Sequence, residues 1–228
     1  MSRSRGPAFL PSLATLVWRD LVVEYRTREI VSGGVAFALL VLVVFNFAID
    51  LRADNAADVA PGILWLGFAF AGMLGFGRSF AADRERGTLD GLLLAPVERG
   101  VIYLARTASN AIFMGIVEVV TLPVFVALYG IRLAWGQALL AVLLGTIGFA
   151  AAGTLMAAIA ANTRAREVLL PLLLLPLAVP VLIASVKATA IASGARPTEE
   201  LPWLQLLGGF DVVLVAASYL LFENVVEE

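Results

Sequence analysis

Apolar residues fall in long blocks along the chain, and short charged segments separate the blocks. Six blocks, at roughly 31–49, 59–77, 105–128, 135–161, 168–190 and 203–222, are each 19 residues or longer. At 1.5 Å of helical rise per residue, blocks of this length reach across a hydrocarbon core about 30 Å thick. The pattern predicts an all-α integral membrane protein with six transmembrane helices.

A different pattern precedes the first block. Leu10, Leu13, Ala14, Val17, Trp18, Leu21 and Tyr25 recur at spacings of three and four, while Arg19, Asp20, Glu24, Arg26 and Arg28 fall mostly elsewhere. One apolar stripe with a charged remainder predicts an amphipathic helix lying along the membrane surface. Residues 1–30 are therefore expected to form an N-terminal interfacial helix, and residues 31–228 a six-span domain. Such a helix serves either as an anchor or as a docking element for a partner. Arg3 and Arg5 ahead of "PAFLPSLATLVW" have the look of a signal peptide. That stretch runs straight into "RDLVVEYRTRE" without a small-residue cleavage site, so a retained segment is expected.

The spans carry their own signals. Gly67, Ala71 and Gly75 lie on one face of the second span, and Gly153, Ala157 and Ala161 on one face of the fourth, with Gly148 and Ala152 nearby. Small residues at this spacing let helix backbones approach closely in lipid. The fifth span, "VLLPLLLLPLAVPVLI", holds Pro171, Pro176 and Pro180. Each removes a backbone donor and presses its ring on the preceding turn, so a kinked or jointed helix is expected. Static bending and movement during a transport cycle both fit.

Composition narrows the chemistry. Of the 228 residues 61% are hydrophobic, and the mean hydropathy is +0.93, whereas soluble domains are about half apolar. The net charge of −2 provides no general attraction for nucleic acid. Cysteine is absent, which excludes disulfides, thiolate metal sites and haem attachment through C-x-x-C-H. Histidine is absent as well, so the commonest haem ligand and the usual general base are missing. The 16 basic residues orient the spans. With a cytoplasmic N-terminus, twelve fall on cytoplasmic segments, from Arg3 to Arg166, and only Arg52, Arg132, Lys187 and Arg196 lie outside. Both termini are then expected in the cytoplasm.

The segment "FAADRERGTLDGLLLAPVERG", Phe80 to Gly100, is the exception to the apolar pattern, with seven charged side chains between two spans. Within it Thr88 suits a helix N-cap, Asp90 suits the first turn, and Leu89, Leu92 and Leu93 share one face. Pro96 disfavours helix at Ala95 and closes the element. The resulting helix of about seven residues is far too short to span. Its leucine ridge, collared by Arg84, Glu85 and Arg86 on one side and by Glu98 and Arg99 on the other, fits a groove on a partner protein. Resting on lipid headgroups is the plainer alternative.

Extended to "FAADRERGTLDGLLLAPVERGVIYLAR", this segment resembles the cytoplasmic loop of the haem exporter protein B (CcmB) family of cytochrome c maturation, which are ABC-2 type ABC transporter permeases. The likeness runs end to end: surface helix, six spans, the "RERGTLDGLLLAPV" loop and the proline-punctuated "LLPLLLLPLAVPVL". It implies that residues 84–96 form a coupling helix seated on a separate CcmA-like ATPase, with Arg84, Glu85, Arg86, Gly87, Thr88, Leu89, Asp90, Leu92, Leu93 and Pro96 as the docking residues. It also implies CcmC-like and CcmD-like membrane proteins, a CcmE-like haem chaperone, a second copy of the chain and the bacterial inner membrane. Haem would be the handled substrate, no cofactor would be bound directly, and ATP would act through the partner subunit. The single lysine, Lys187, is followed by alanine and lacks a G-x-x-x-x-G lead-in, so a P-loop is absent and any ATP dependence needs another subunit.

Glu118 in "MGIVEVVTLP" and Asp211 in "LGGFDVVLV" fall inside predicted spans, and Asn46 and Asn110 are milder cases. An ionised side chain at the bilayer centre costs about 3 kcal/mol or more, so such groups face protein or water. A substrate path, a hinge lock and plain interhelical hydrogen bonding are all open readings. An ABC-2 exporter of lipid, polysaccharide or drug remains the alternative function. A membrane-embedded enzyme has few residues to carry catalysis, since histidine, cysteine and a D-x-x-D-G signature are all missing.

Overall fold

The computed structural model describes residues 9–49, 53–85, 98–161, 163, 165–194 and 202–225. Among them every regular element is a helix: α1 (Phe9–Thr27), α2 (Glu29–Ala48), α3 (Ala53–Glu85), α4 (Arg99–Tyr129), α5 (Trp135–Ala161), α6 (Arg166–Ala192) and α7 (Trp203–Val225). The last six are long and apolar enough to cross a membrane. The fourth predicted span, 135–161, coincides with α5, and the others agree to within a few residues at most ends. The exceptions are α3 and α4, which run past the predicted spans into the charged segment. "RSFAADRE" contains no helix breaker, so α3 continues through Glu85, and α4 starts at Arg99 after the extended Glu98. Arg84 and Glu85 are accordingly the final turn of α3. Residues 86–97, which hold the rest of the predicted coupling helix, lie outside the described residues.

Helix ends follow local chemistry. Gly130 takes a left-handed φ of 63° and closes α4 as a glycine C-cap. Arg28, between α1 and α2, takes a φ of 54°, a conformation that side chains with a Cβ rarely adopt. Glu24 holds this elbow by accepting a hydrogen bond from the Val31 N–H at 2.8 Å, so the previous helix caps the first turn of α2. All three prolines of the fifth span lie within α6, which is continuous from Arg166 to Ala192.

Close backbone approach organises the bundle. A Cβ on Gly67 would sit 3.6 Å from the Ala38 backbone, one on Gly34 3.5 Å from Ala71, and one on Gly75 3.1 Å from Ile30. The predicted Gly67–Ala71–Gly75 face is therefore the antiparallel seam between α2 and α3. The centre belongs to α5, whose alanines 150 to 152 are fully buried. Gly145 accommodates Trp65 and Ser185, Gly148 accommodates Asp211, and Gly153 accommodates the Phe76 ring. Both predicted small-residue faces are thus packing surfaces, and the one on α5 receives large side chains rather than another small face.

Candidate functional site

Among the described residues, polar contacts at three places and two sizeable clefts bear on function. The first ties the interfacial helix to the fourth. Asp20 and Glu24, on the charged side of α1, are buried, whereas Leu10, Trp18 and Tyr25 of the apolar stripe are more than two-thirds exposed. Asp20 Oδ2 pairs with Arg106 Nη1 at 3.0 Å, both side chains being only 7% exposed, and Asp20 Oδ1 pairs with Arg19 at 2.8 Å. The acidic face of α1 thus docks on protein, and Leu10, Trp18 and Tyr25 of its apolar face are left exposed. This arrangement suits a helix half-sunk in the interface and packed on a bundle.

The second assembly lies within the spans. Glu118 on α4 is buried and accepts a hydrogen bond from the Thr146 hydroxyl of α5. Asn110 Nδ2 donates to Thr154 Oγ1 at 2.9 Å, again between α4 and α5. Asp211 on α7 is buried against Gly148, and neither of its oxygens finds a hydrogen-bond partner among the described residues. Asn46 is half-buried on α2. The third assembly crosses between α3 and α6: Trp65 Nε1 donates to Thr189 Oγ1 at 3.0 Å, and Thr189 donates to the Ser185 carbonyl at 2.8 Å. These bonds satisfy polar groups that lipid could not, and each joins two spans or bonds back to its own helix.

The sequence pattern had singled out Glu118, Asn110 and Asp211, and the structure buries all three without bringing them together. Glu118 faces Thr146 and Asp211 faces Gly148, two residues apart and on different sides of α5. Pattern reading missed Asp20, Glu24, Arg106, Trp65 and Thr189. The pairing of Asp20 with Glu24 at i and i+4 opposite an apolar stripe was a readable signal; for the others the partners are too distant in sequence. Among the described residues no group of three or more aspartates, glutamates, histidines or cysteines is placed to hold a metal ion.

The clefts open on the end of the bundle where α1 lies. One, of about 1070 Å³, is bounded by α1, α2 and α4 and is lined by Trp18, Tyr25, Leu39, Phe113 and Ile116 with Glu24 and Arg28 among them. The other, of about 440 Å³, lies between α3, α5 and α6 with Arg78, Arg166 and Glu167 in its lining.

A leading helix clamped to six long apolar helices is the arrangement that the resemblance implies. The family model described as CcmB protein matches residues 12–227, almost the whole chain. The chain belongs to the CcmB family. Among its curated relatives, the heme exporter protein B of Rhodobacter capsulatus is 34% identical over 208 residues, covering 90% of this chain and 93% of the relative. That of Paracoccus denitrificans is 33% identical, covering 84% and 89% respectively, and that of Bradyrhizobium diazoefficiens 31%, covering 79% and 82%. In this CcmB-family chain the interfacial helix, the six spans and the small-residue seams all follow from its own residues. Membership adds the context in which the charged segment is to be understood.

Proposed function

We propose that this chain is the permease subunit of an ABC-2 type transporter that handles haem in c-type cytochrome biogenesis. The observation that carries the reading is the match to the CcmB family along nearly the full length, with relatives named heme exporter protein B. In this reading it is a non-catalytic subunit of the inner membrane with both termini in the cytoplasm. A CcmA-like ATPase docks on residues 84–96, CcmC-like and CcmD-like proteins complete the membrane complex, and a CcmE-like chaperone takes the haem. ATP hydrolysis then drives haem export or release of the loaded chaperone.

The geometry supports transmission from such a docking loop. The loop is anchored by α3 on one side and α4 on the other. Through the glycine seam α3 carries α2, and through Arg106 and Asp20 α4 carries α1. A push on the loop therefore reaches α1 to α4 as one packed unit. The chain has no histidine, so strong axial haem ligands would come from another subunit, which favours a force-transmitting role here.

Pairing with a second copy is supported by α6. Pro176 and Pro180 stand on its exposed face, alongside Leu172, Leu175 and Val179. Each proline deprives the carbonyl one turn earlier of its helical donor, at Leu172 and Pro176. Such carbonyls are tolerated at membrane depth where protein or a water-lined cavity covers them. The test is a pull-down of tagged protein from native membranes in mild detergent, with mass spectrometry and a scan for haem absorbance. An ATPase recovered with CcmC-like and CcmE-like proteins supports the haem-delivery complex. An ATPase without haem-handling partners moves the function to another export system.

A further inference from the structure

The smaller cleft has a chemistry of its own, which does not depend on what the transporter moves. Its wall is apolar, formed by Phe70, Met73 and Leu74 of α3, Ala157 of α5, and Leu170 and Pro171 of α6. Its rim is charged, with Arg78, Arg166 and Glu167. The placement of the two arginines matters most. Arg78 is the first charged residue after the apolar block 59–77, and Arg166 begins α6 ahead of the apolar block 168–190. Both guanidiniums thus sit at headgroup level, with the apolar wall beneath them in the hydrocarbon. From Phe70 to Arg78 the wall runs about 12 Å along α3, at 1.5 Å per residue, the reach of a substantial part of an acyl chain.

Charge selects the headgroup. Among the described lining residues two guanidiniums stand against one carboxylate, so that part of the rim is net positive. Arg78 donates one N–H to the Glu29 carbonyl at 3.3 Å, and a guanidinium has five donors in a fork that matches a phosphate. Basic pockets between membrane helices at the cytoplasmic side are a known setting for anionic lipid headgroups. A soluble anion would leave the apolar wall unfilled. Among the described lining residues a haem would find Met73 as a ligand of the usual axial kinds, in a chain without histidine or cysteine.

We propose that the cleft between α3, α5 and α6 binds an anionic phospholipid, one acyl chain along Phe70, Leu74 and Pro171 and the phosphate between Arg78 and Arg166. The lipid bridges α3 and α6 on the side where α3 leads into the charged loop, so it steadies the junction through which that loop would act.

Native mass spectrometry of the delipidated full-length protein, titrated with phosphatidylglycerol or phosphatidylcholine, tests this. The wild type should prefer phosphatidylglycerol by about thirtyfold, the size expected for two arginines at a membrane surface. The preference should vanish in the Arg78→Gln/Arg166→Gln variant, whose fold is checked by gel filtration and circular dichroism. If that variant fails to fold, an acyl-photoreactive phosphatidylglycerol on the wild type decides instead, with crosslinks expected at Phe70, Leu74 or Pro171. Equal binding of the two lipids, a preference that survives the double substitution, or crosslinks confined to other faces overturns the proposal. So does stoichiometric haem uptake that displaces the lipid and is lost in the double variant, which would assign the cleft to haem.

Discussion

The ion pair between Asp20 and Arg106 is the sharpest point at which the interfacial helix can be tested. Its N···O distance is 3.0 Å and each side chain is 7% exposed. At an effective dielectric of about 20, charges at that separation attract by roughly 5–6 kcal/mol, most of it offset by the desolvation of both ions. The pair is therefore worth little against apolar replacements, while removing one member takes a charge partner from a group that stays buried. Asp20→Leu should lower stability by about 3–5 kcal/mol, because the buried Arg106 loses the Asp20 carboxylate. Arg106→Met should cost less, about 2–3 kcal/mol, because Asp20 keeps its contact with Arg19, which can turn toward solvent. The double variant should recover most of the loss, giving a coupling energy of about 2 kcal/mol or more. Reversible unfolding of the purified protein in mixed detergent micelles measures all four species. Tryptic cleavage at Arg28 should rise in the single variants as α1 detaches. Single variants that each cost under about 1 kcal/mol, or strictly additive losses, would refute the view that this buried pair holds α1 to α4.

Other outcomes follow from the same geometry. Glu118→Gln keeps an oxygen for the Thr146 hydroxyl and should be tolerated, whereas Glu118→Leu should cost about 1–3 kcal/mol by stranding that hydroxyl. Loss of cytochrome c maturation in a well-folded Glu118→Gln protein would show instead that the charge itself is used. Gly153→Ala drives a Cβ into the buried Phe76 ring and should destabilise by about 1–3 kcal/mol, while Gly115→Ala, in a helix and with nothing within 4 Å, should be neutral or stabilising. Equal effects of the two in a thermal-unfolding series would contradict the packing described. Leu92→Asp should abolish co-purification of the ATPase while membrane insertion, followed by fractionation, stays intact; an unchanged ATPase yield would sink the docking proposal.

Part of the candidate site could be located along the chain but not assembled from it. Glu118, Asp211 and Asn110 were legible because a polar residue inside an apolar block is conspicuous. Their partners were not. Thr146 is 28 residues from Glu118 and Thr154 is 44 from Asn110, and threonine is unremarkable in a span because it can bond back to its own helix. The acidic side of α1 shows the limit most clearly. Its stripe predicted a helix, and a helix is there, yet the charged residues expected to face away from the apolar seam are the ones that bury against Arg106 and cap α2.

By itself, the sequence determined that this is a six-span helical membrane protein with a leading amphipathic helix, and nearly where each helix lies. The reason is local: a segment enters lipid on the transfer free energy of its own side chains, and its hydrogen bonds close within the same helix. Only the tertiary structure decided which faces meet. In lipid no hydrophobic drive sorts one apolar face from another, so neighbours are chosen by shape and by scattered polar bonds. The Trp65–Thr189 bond joins residues 124 positions apart, and the Gly153 hollow is filled by a ring from α3. Such matches belong to pairs of helices, and no single segment carries them.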